Sequence, residues 1–276
     1  MIDVGIVGHG AIGSVVTGAL VRGEVPGCRL AGVLVGPTGR DVPEPVSTID
    51  LLAECSQVVV EAAGAEALAT YGPPVVAAGV DLVVLSVGAL VDDTLRARLL
   101  GDGDDDPGGL PGADDPGGSR GKVLLSAGAV GGLGLLRAAA LLGDINRVRL
   151  RTEKLPGALD RPWMTPAERA RLLGTDEPLT VFSGSARDAV IRFPQSANVS
   201  ATLALATVGF DATHVDVVAD PGARLVRHRI EVEADAGRYA FEIENRPSAN
   251  PRTSAVTPYA VIRALRDLSA GVVVGV

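Results

Sequence analysis

A glycine loop near the start of the chain constrains the fold more than any other feature. Behind a Val/Ile-rich run from Ile2 to Val7 the sequence reads Gly8-His9-Gly10-Ala11-Ile12-Gly13, then takes on helical periodicity to Arg22. In a strand-loop-helix context the first glycine permits a tight turn, the second lets a pyrophosphate approach the backbone, and the third lets helix and strand touch. The free N–H groups and positive dipole end of the following helix then face the phosphates. Gly8, Gly10, Ala11, Ile12 and Gly13 are therefore the expected dinucleotide contacts.

The next hundred residues keep this rhythm. Strand-like runs at Arg29 to Val35, Gln57 to Glu61, Val80 to Leu85 and Lys122 to Ser126 alternate with helical stretches at Ser47 to Glu54, Ala65 to Ala78 and Asp92 to Leu99. Such alternation predicts right-handed crossovers and a doubly wound parallel sheet, a Rossmann arrangement. The apolar run from Pro73 to Val91 has a membrane-like length, but Asp81 and three small residues interrupt it. It reads as a helix end followed by a buried strand. A long helix is expected from Ala129 to Leu142, and beyond Asn146 the pattern changes. Arg147 to Thr152, Leu179 to Ser183, Val215 to Ala219, Leu225 to Ala234 and Arg238 to Glu244 look like strands, several alternating apolar with charged residues. That alternation predicts a sheet with one solvated face. The expected division is a dinucleotide-binding domain over residues 1–145 and a second α/β domain with a mixed or antiparallel sheet over 146–276. The last helix, 253–268, is expected to pack back on the first domain.

Gly101 to Arg120 carries six Asp, seven Gly and three Pro, too little apolar surface to offset the entropy of ordering. It is expected to be a flexible insertion rather than a metal loop, because the position where a calcium loop needs Glu is Ala113. No metal is expected. The net charge of −8 and the lack of a long basic run argue against nucleic acid. Because the insertion holds six of the 33 acids and one of the 25 bases, the rest of the chain is close to neutral and leaves room for a locally positive cleft. Two cysteines, Cys28 and Cys55, make no C-x-x-C pair, and the N-terminus lacks a basic n-region. The expectation is a cytoplasmic protein without a membrane segment.

The second strand ends in Gly36-Pro37-Thr38-Gly39-Arg40, with no carboxylate for ribose hydroxyls. Thr38 and Arg40 suit a 2′-phosphate, so the expected cofactor is NADP or NAD. The alternative is a solvated Arg40 and weak selectivity. Of three histidines, His9 lies in the glycine loop, His214 stands just before a predicted strand, and His228 lies between Arg227 and Arg229. Flanking cations would depress the His228 pKa and leave a neutral imidazole able to accept a proton.

Several blocks together resemble the L-aspartate dehydrogenase family: GIVGHGAIG at 5–13, VVVEAAG at 58–64, LVVLSVGAL at 82–90, LLSAGAVGGL at 124–133, VFSGSARDAVIRFPQSANVSATLALATVGFD at 181–211 and HRIEVEADAGRYAFEIENRPSANPRTSA at 228–255. The resemblance spans nearly the whole chain apart from the acidic insertion. It implies a Rossmann domain, a C-terminal α/β domain that supports a homodimer, and NAD(P)-dependent deamination of a small dicarboxylic amino acid. By the same resemblance, His228 falls on the catalytic histidine and Ala129 and Asn198 on cofactor contacts, with the Asn198 amide also able to reach the substrate; two substrate carboxylates need cationic or N–H-rich partners, for which Lys154, Arg252 and Thr253 are candidates. The chain departs from the family pattern at Glu153, where a cation is usual. Either Glu153 alters carboxylate recognition, pointing to a modified acidic amino acid, or it faces away from the site.

Overall fold

The computed structural model describes residues 1–36, 41–101, 120–194, 198–248 and 254–273. Arg40, Arg252, Thr253 and nearly all of the acidic insertion, residues 102–119, lie outside the described residues, as does Thr38. The chain divides into two compact units, one of residues 1–101, 120–128 and 257–273, the other of 129–256.

The first unit is a six-stranded parallel sheet in the order β3-β2-β1-β4-β5-β6. Its strands are β1 (Ile2–Val7), β2 (Cys28–Leu34), β3 (Pro45–Val46), β4 (Val58–Glu61), β5 (Asp81–Val84) and β6 (Val123–Leu125). The crossovers are α1 (Gly13–Val21), α2 (Ile49–Glu54), α3 (Ala65–Ala77) and α4 (Asp93–Leu100). The Val/Ile runs form the middle of the sheet because both faces are covered; Val4, Ile6, Val33, Val59, Val60 and Val84 are fully buried. The apolar run at 73–91 resolves as the end of α3, the buried strand β5 and a 3₁₀ turn at Val87–Val91. Among the described residues no helix is long and apolar enough to cross a membrane. The closing helix, α11 (Thr257–Ser269), packs on α1 and β2. Val261, Ile262 and Leu265 enter the same core as Val16 and Leu20, and the Leu265 carbonyl accepts from Cys28 Sγ.

The second unit is a five-stranded sheet in the order β11-β10-β7-β9-β8. It contains β7 (Ile145–Lys154), β8 (Leu179–Ser185), β9 (Thr213–Ala219), β10 (Val226–Ala234) and β11 (Gly237–Asn245), and β7 and β9 are its one parallel pair. The helix expected from Ala129 starts later, as α5 (Leu133–Leu142), because Gly132 adopts a left-handed conformation and its α-carbon abuts the Phe241 ring. The sequence reading assigned no elements between the strands to α6 (Pro156–Leu159), α7 (Pro166–Leu173), α8 (Ala186–Arg192), α9 (Asn198–Leu205) or α10 (Gly209–Ala212). Of these, α8 and α9 pack against the sheet at β8 and β9. His214, expected just before its strand, lies inside β9 and hydrogen-bonds Ser183 and Asp216.

Candidate active site

The glycine loop has the geometry its spacing predicts. Gly8 has φ of +94°, a left-handed turn, and a Cβ on it would stand 2.7 Å from the Ala63 Cβ. At Gly13 a Cβ would fall 2.1 Å from the Gly8 carbonyl oxygen, so helix and loop touch through that missing side chain. A Cβ at Gly10 would meet nothing within 4 Å, and the residue is exposed. That open backbone is what a phosphate-bearing ligand requires. No side chain caps the N-terminus of α1, which leaves its dipole end available to an anion. The residues present therefore fit a dinucleotide. Ala11 and Ile12 continue the loop into the helix, and His9 is half-buried.

Sequence reasoning gave no role to Glu61, at the end of β4. Its buried carboxylate accepts hydrogen bonds from the backbone N–H groups of Ala63, Gly64 and Ser86 and from the Ser86 hydroxyl. It ties the end of β4 to the end of β5, the edge of the sheet where an open α/β fold binds its ligands. The available signal was a lone Glu closing an otherwise apolar strand.

In the second unit period-two alternation separates two surfaces of very different chemistry. β10 alternates buried Val226, His228, Ile230 and Val232 with more exposed Arg227, Arg229, Glu231 and Glu233. The antiparallel register sets His228 opposite Thr152 on β7, and Arg227 opposite Glu153. His228 is 2% exposed, and its Nδ1 lies 3.0 Å from Thr152 Oγ1. Lys154, two residues along the same face of β7, is equally hidden at 5%. Burial, reinforced by the charge of Lys154, lowers the His228 pKa to about 3. Burial, reinforced by the charge of Arg161, lowers the Lys154 pKa to about 8.

This corrects the expected cause of the neutral imidazole. The flanking arginines project to the opposite face, where their charges are matched: Arg227 pairs with Glu153 at 2.9 Å and Glu244 at 2.6 Å, and Arg229 with Glu242 at 2.8 Å. Glu153 belongs to that network too, bonded also to Arg151 at 2.6 Å. Burial is the largest single effect and would raise its carboxyl, but the hydrogen bonds and charges of Arg151 and Arg227 together hold it below the usual range. Glu153 therefore faces away from His228 and Lys154, and its departure from the family pattern does not reach that side of the sheet.

Two further expected positions are placed in this unit. The Ala129 carbonyl accepts from Asn245 Nδ2 at 3.1 Å, and Gly132 presses on Phe241. Phe241 and Ile243 pair with Ile230 and His228 in the ladder, so the 129–132 segment lies on the His228 face. Asn198 opens α9 and is exposed, and α9 continues through buried Ser200 and Thr202.

The family described as "Aspartate dehydrogenase, C-terminal" matches residues 135–268, and "Homoserine dehydrogenase, NAD binding domain" matches residues 8–103. L-aspartate dehydrogenase 3 of Bordetella bronchiseptica is 37% identical over 99% of this chain and 97% of its own length. The chain belongs to the L-aspartate dehydrogenase family. L-aspartate dehydrogenase of Bradyrhizobium diazoefficiens is 36% identical over 99% of this chain and 93% of its own. The crystal structure of aspartate dehydrogenase from Thermotoga maritima superposes with a TM-score of 0.74 at 25% identity, covering both chains completely. The fold class, a Rossmann sheet followed by a mixed-sheet α/β unit, is that of the family, and the cofactor is NAD or NADP.

Proposed function

We propose that this chain catalyses NAD(P)-dependent oxidative deamination of L-aspartate. The observation that carries the reading is the buried Thr152–His228 pair beside the buried cation Lys154, in a chain so similar to L-aspartate dehydrogenases along its whole length. A dinucleotide bound by these residues would supply the acceptor for the hydride that leaves the substrate Cα. Gly8, Gly10, Ala11, Ile12 and Gly13 bind its phosphates, Arg40 serves a 2′-phosphate, and Ala129 and Asn198 contact it.

The amino acid loses a hydride and a proton to give an imine, water adds to the imine carbon, and expulsion of ammonia leaves oxaloacetate. His228 is a neutral base across the physiological range because burial keeps it unprotonated, so it takes the proton from the attacking water and returns it to the departing nitrogen. To accept through Nε2 it must carry its proton on Nδ1 and donate it to Thr152 Oγ1. Lys154 binds a substrate carboxylate, with Asn198, Arg252 and Thr253 completing the substrate contacts.

The reading extends to a cytoplasmic homodimer, supported by the family resemblance and by two free thiols, Cys28 and Cys55. Early release of the imine would supply NAD biosynthesis. A related dehydrogenase for a modified acidic amino acid loses its distinguishing feature, because Glu153 lies on the other face. Purified protein incubated with NAD or NADP and L-aspartate, and with NAD(P)H, oxaloacetate and ammonia, tests the reading. Cofactor binding without turnover in either direction overturns it. Sedimentation analysis tests the dimer.

A further inference from the structure

The second sheet ends on one side in β11, whose strand partner among the described residues is β10 alone. The strand runs for nine residues, pairs with β10 without a register shift and contains no proline, so neither a bulge nor a missing N–H blunts its outer edge. On its core face Tyr239, Phe241 and Ile243 are only half-buried and no charge interrupts them, while on the other face Arg238, Ala240, Glu242 and Glu244 are exposed. Helix α5 flanks this strand. A Cβ on Gly132, at the helix start, would meet the Phe241 ring, and one on Gly143, just past its end, would meet Asp235 in the turn before β11. The helix reads LGLLRAAALL, with Arg137 its one charge, and leaves Leu135, Leu141 and Leu142 52%, 84% and 76% exposed. A bare strand edge beside an apolar helix surface is costly to leave in water.

We propose that β11 is the edge on which two copies of this chain pair, antiparallel about a two-fold axis at Phe241, joining their five-stranded sheets into one. The inference rests on the homodimer proposed above and names its surface. The charge pattern selects the register. With the axis at Phe241 all nine residues pair: Arg238 of one copy stands opposite Glu244 of the other, Tyr239 opposite Ile243, Ala240 opposite Glu242, and Phe241 opposite itself. Arg238 has no ion pair of its own among the described residues, and Glu244 is held in place by Arg227 at 2.6 Å. Moving the axis to Glu242 would bring two Glu242 carboxylates together and set Arg238 against Arg246. Moving it to Ala240 would push Glu244 and Asn245 past the facing strand, against the turn at 235–236. A one-residue slip would lay the apolar face of one strand beside the charged face of the other. The exposed leucines of α5 supply the apolar surface that the joined sheets bury.

The test is sedimentation equilibrium of the full chain, of Arg238→Glu, of Glu244→Arg, and of an equimolar mixture of the two variants. The parent is expected to be a dimer. Each variant alone should raise the dimer Kd at least about 10-fold, because both symmetry-related contacts become like-charge pairs. In the mixed dimer both contacts again join opposite charges, so the mixture should return to within about threefold of the parent Kd. Leu141→Lys, on the exposed helix surface, is expected to weaken the dimer likewise. The apo melting temperature and NAD(P)H titration establish that each variant is folded. A parent dimer whose Kd none of these substitutions moves overturns this edge and leaves the homodimer standing. A mixture no tighter than its components also overturns it, since the losses then reflect damage within each chain. A parent that stays monomeric overturns the homodimer and this surface together, whatever its turnover of aspartate.

Discussion

Thr152 Oγ1 and His228 Nδ1 meet at 3.0 Å across paired strands, in a spot where both side chains are buried. In this geometry the imidazole has a fixed orientation and one of its two nitrogens is committed. The hydroxyl can satisfy a protonated Nδ1, leaving Nε2 with its lone pair. Thr152→Val removes the acceptor while keeping the shape. It is expected to lower kcat about 10- to 100-fold with cofactor Kd unchanged, and Thr152→Ser is expected to restore most of the loss. Equal kcat for Thr152→Val and the parent would dismiss Thr152 as a positioning residue.

Lys154 sets the alkaline side of the pH dependence. Its folded pKa is about 8, so the free protein loses this carboxylate-binding charge as pH rises through that value, and kcat/KM for aspartate should fall there. His228, at about 3, stays neutral down to pH 5 and contributes no acid limb above that. In Lys154→Met the alkaline fall should vanish from a much weakened kcat/KM. A profile of the parent that stays level to pH 9.5 contradicts this assignment.

The same burial has a stability consequence with a definite sign. Between pH 10.5 and about 8 the unfolded chain holds a proton on Lys154 that the folded chain lacks, so stability falls as pH falls through that window and the full penalty persists below it. The shift corresponds to about 3 kcal/mol. Lys154→Met should therefore be more stable than the parent at pH 7, with the advantage shrinking toward pH 10.5. Denaturant melts of the apo protein at pH 7 and pH 10 read this directly, and a variant less stable at pH 7 than at pH 10, relative to the parent, refutes it.

Most of the first unit was legible because its signals are local. A glycine loop behind β1 and apolar runs on both-face-buried strands declare themselves within a few residues. The second unit was legible only as strands. Treating Arg227 and Arg229 as neighbours of His228 confused adjacency in sequence with adjacency in space, since a strand sends successive side chains to opposite faces. The pattern of β10 contained the correction, but choosing the buried face needed the register with β7. Thr152 carried no pattern at all. A threonine in a strand acquires meaning only when tertiary packing buries it against a partner such as His228.

Glu153 offers a direct check on the face assignment. It bonds Arg151 and Arg227 on the face away from His228. Glu153→Gln should leave KM for aspartate within about twofold, while costing about 1–3 kcal/mol of stability because two arginines lose a largely buried partner. A tenfold change in KM without a change in melting temperature would return Glu153 to the substrate side.

Two glycines of the same loop, Gly10 and Gly13, should fail differently when a methyl group is added. Gly13 abuts the Gly8 carbonyl, and an added Cβ would fall 2.1 Å from that oxygen, backbone against backbone. Gly13→Ala must open the loop, and is expected to cost upwards of about 2 kcal/mol and to lower the melting temperature with and without cofactor. Gly10 is open, with nothing within 4 Å of the same added atom. Gly10→Ala should melt like the parent when apo and lose at least about tenfold in NAD(P)H affinity, because the methyl group occupies space reserved for the dinucleotide. Apo melts and NAD(P)H fluorescence titration separate the two. If Gly10→Ala binds as tightly as the parent, the dinucleotide does not approach the loop at Gly10.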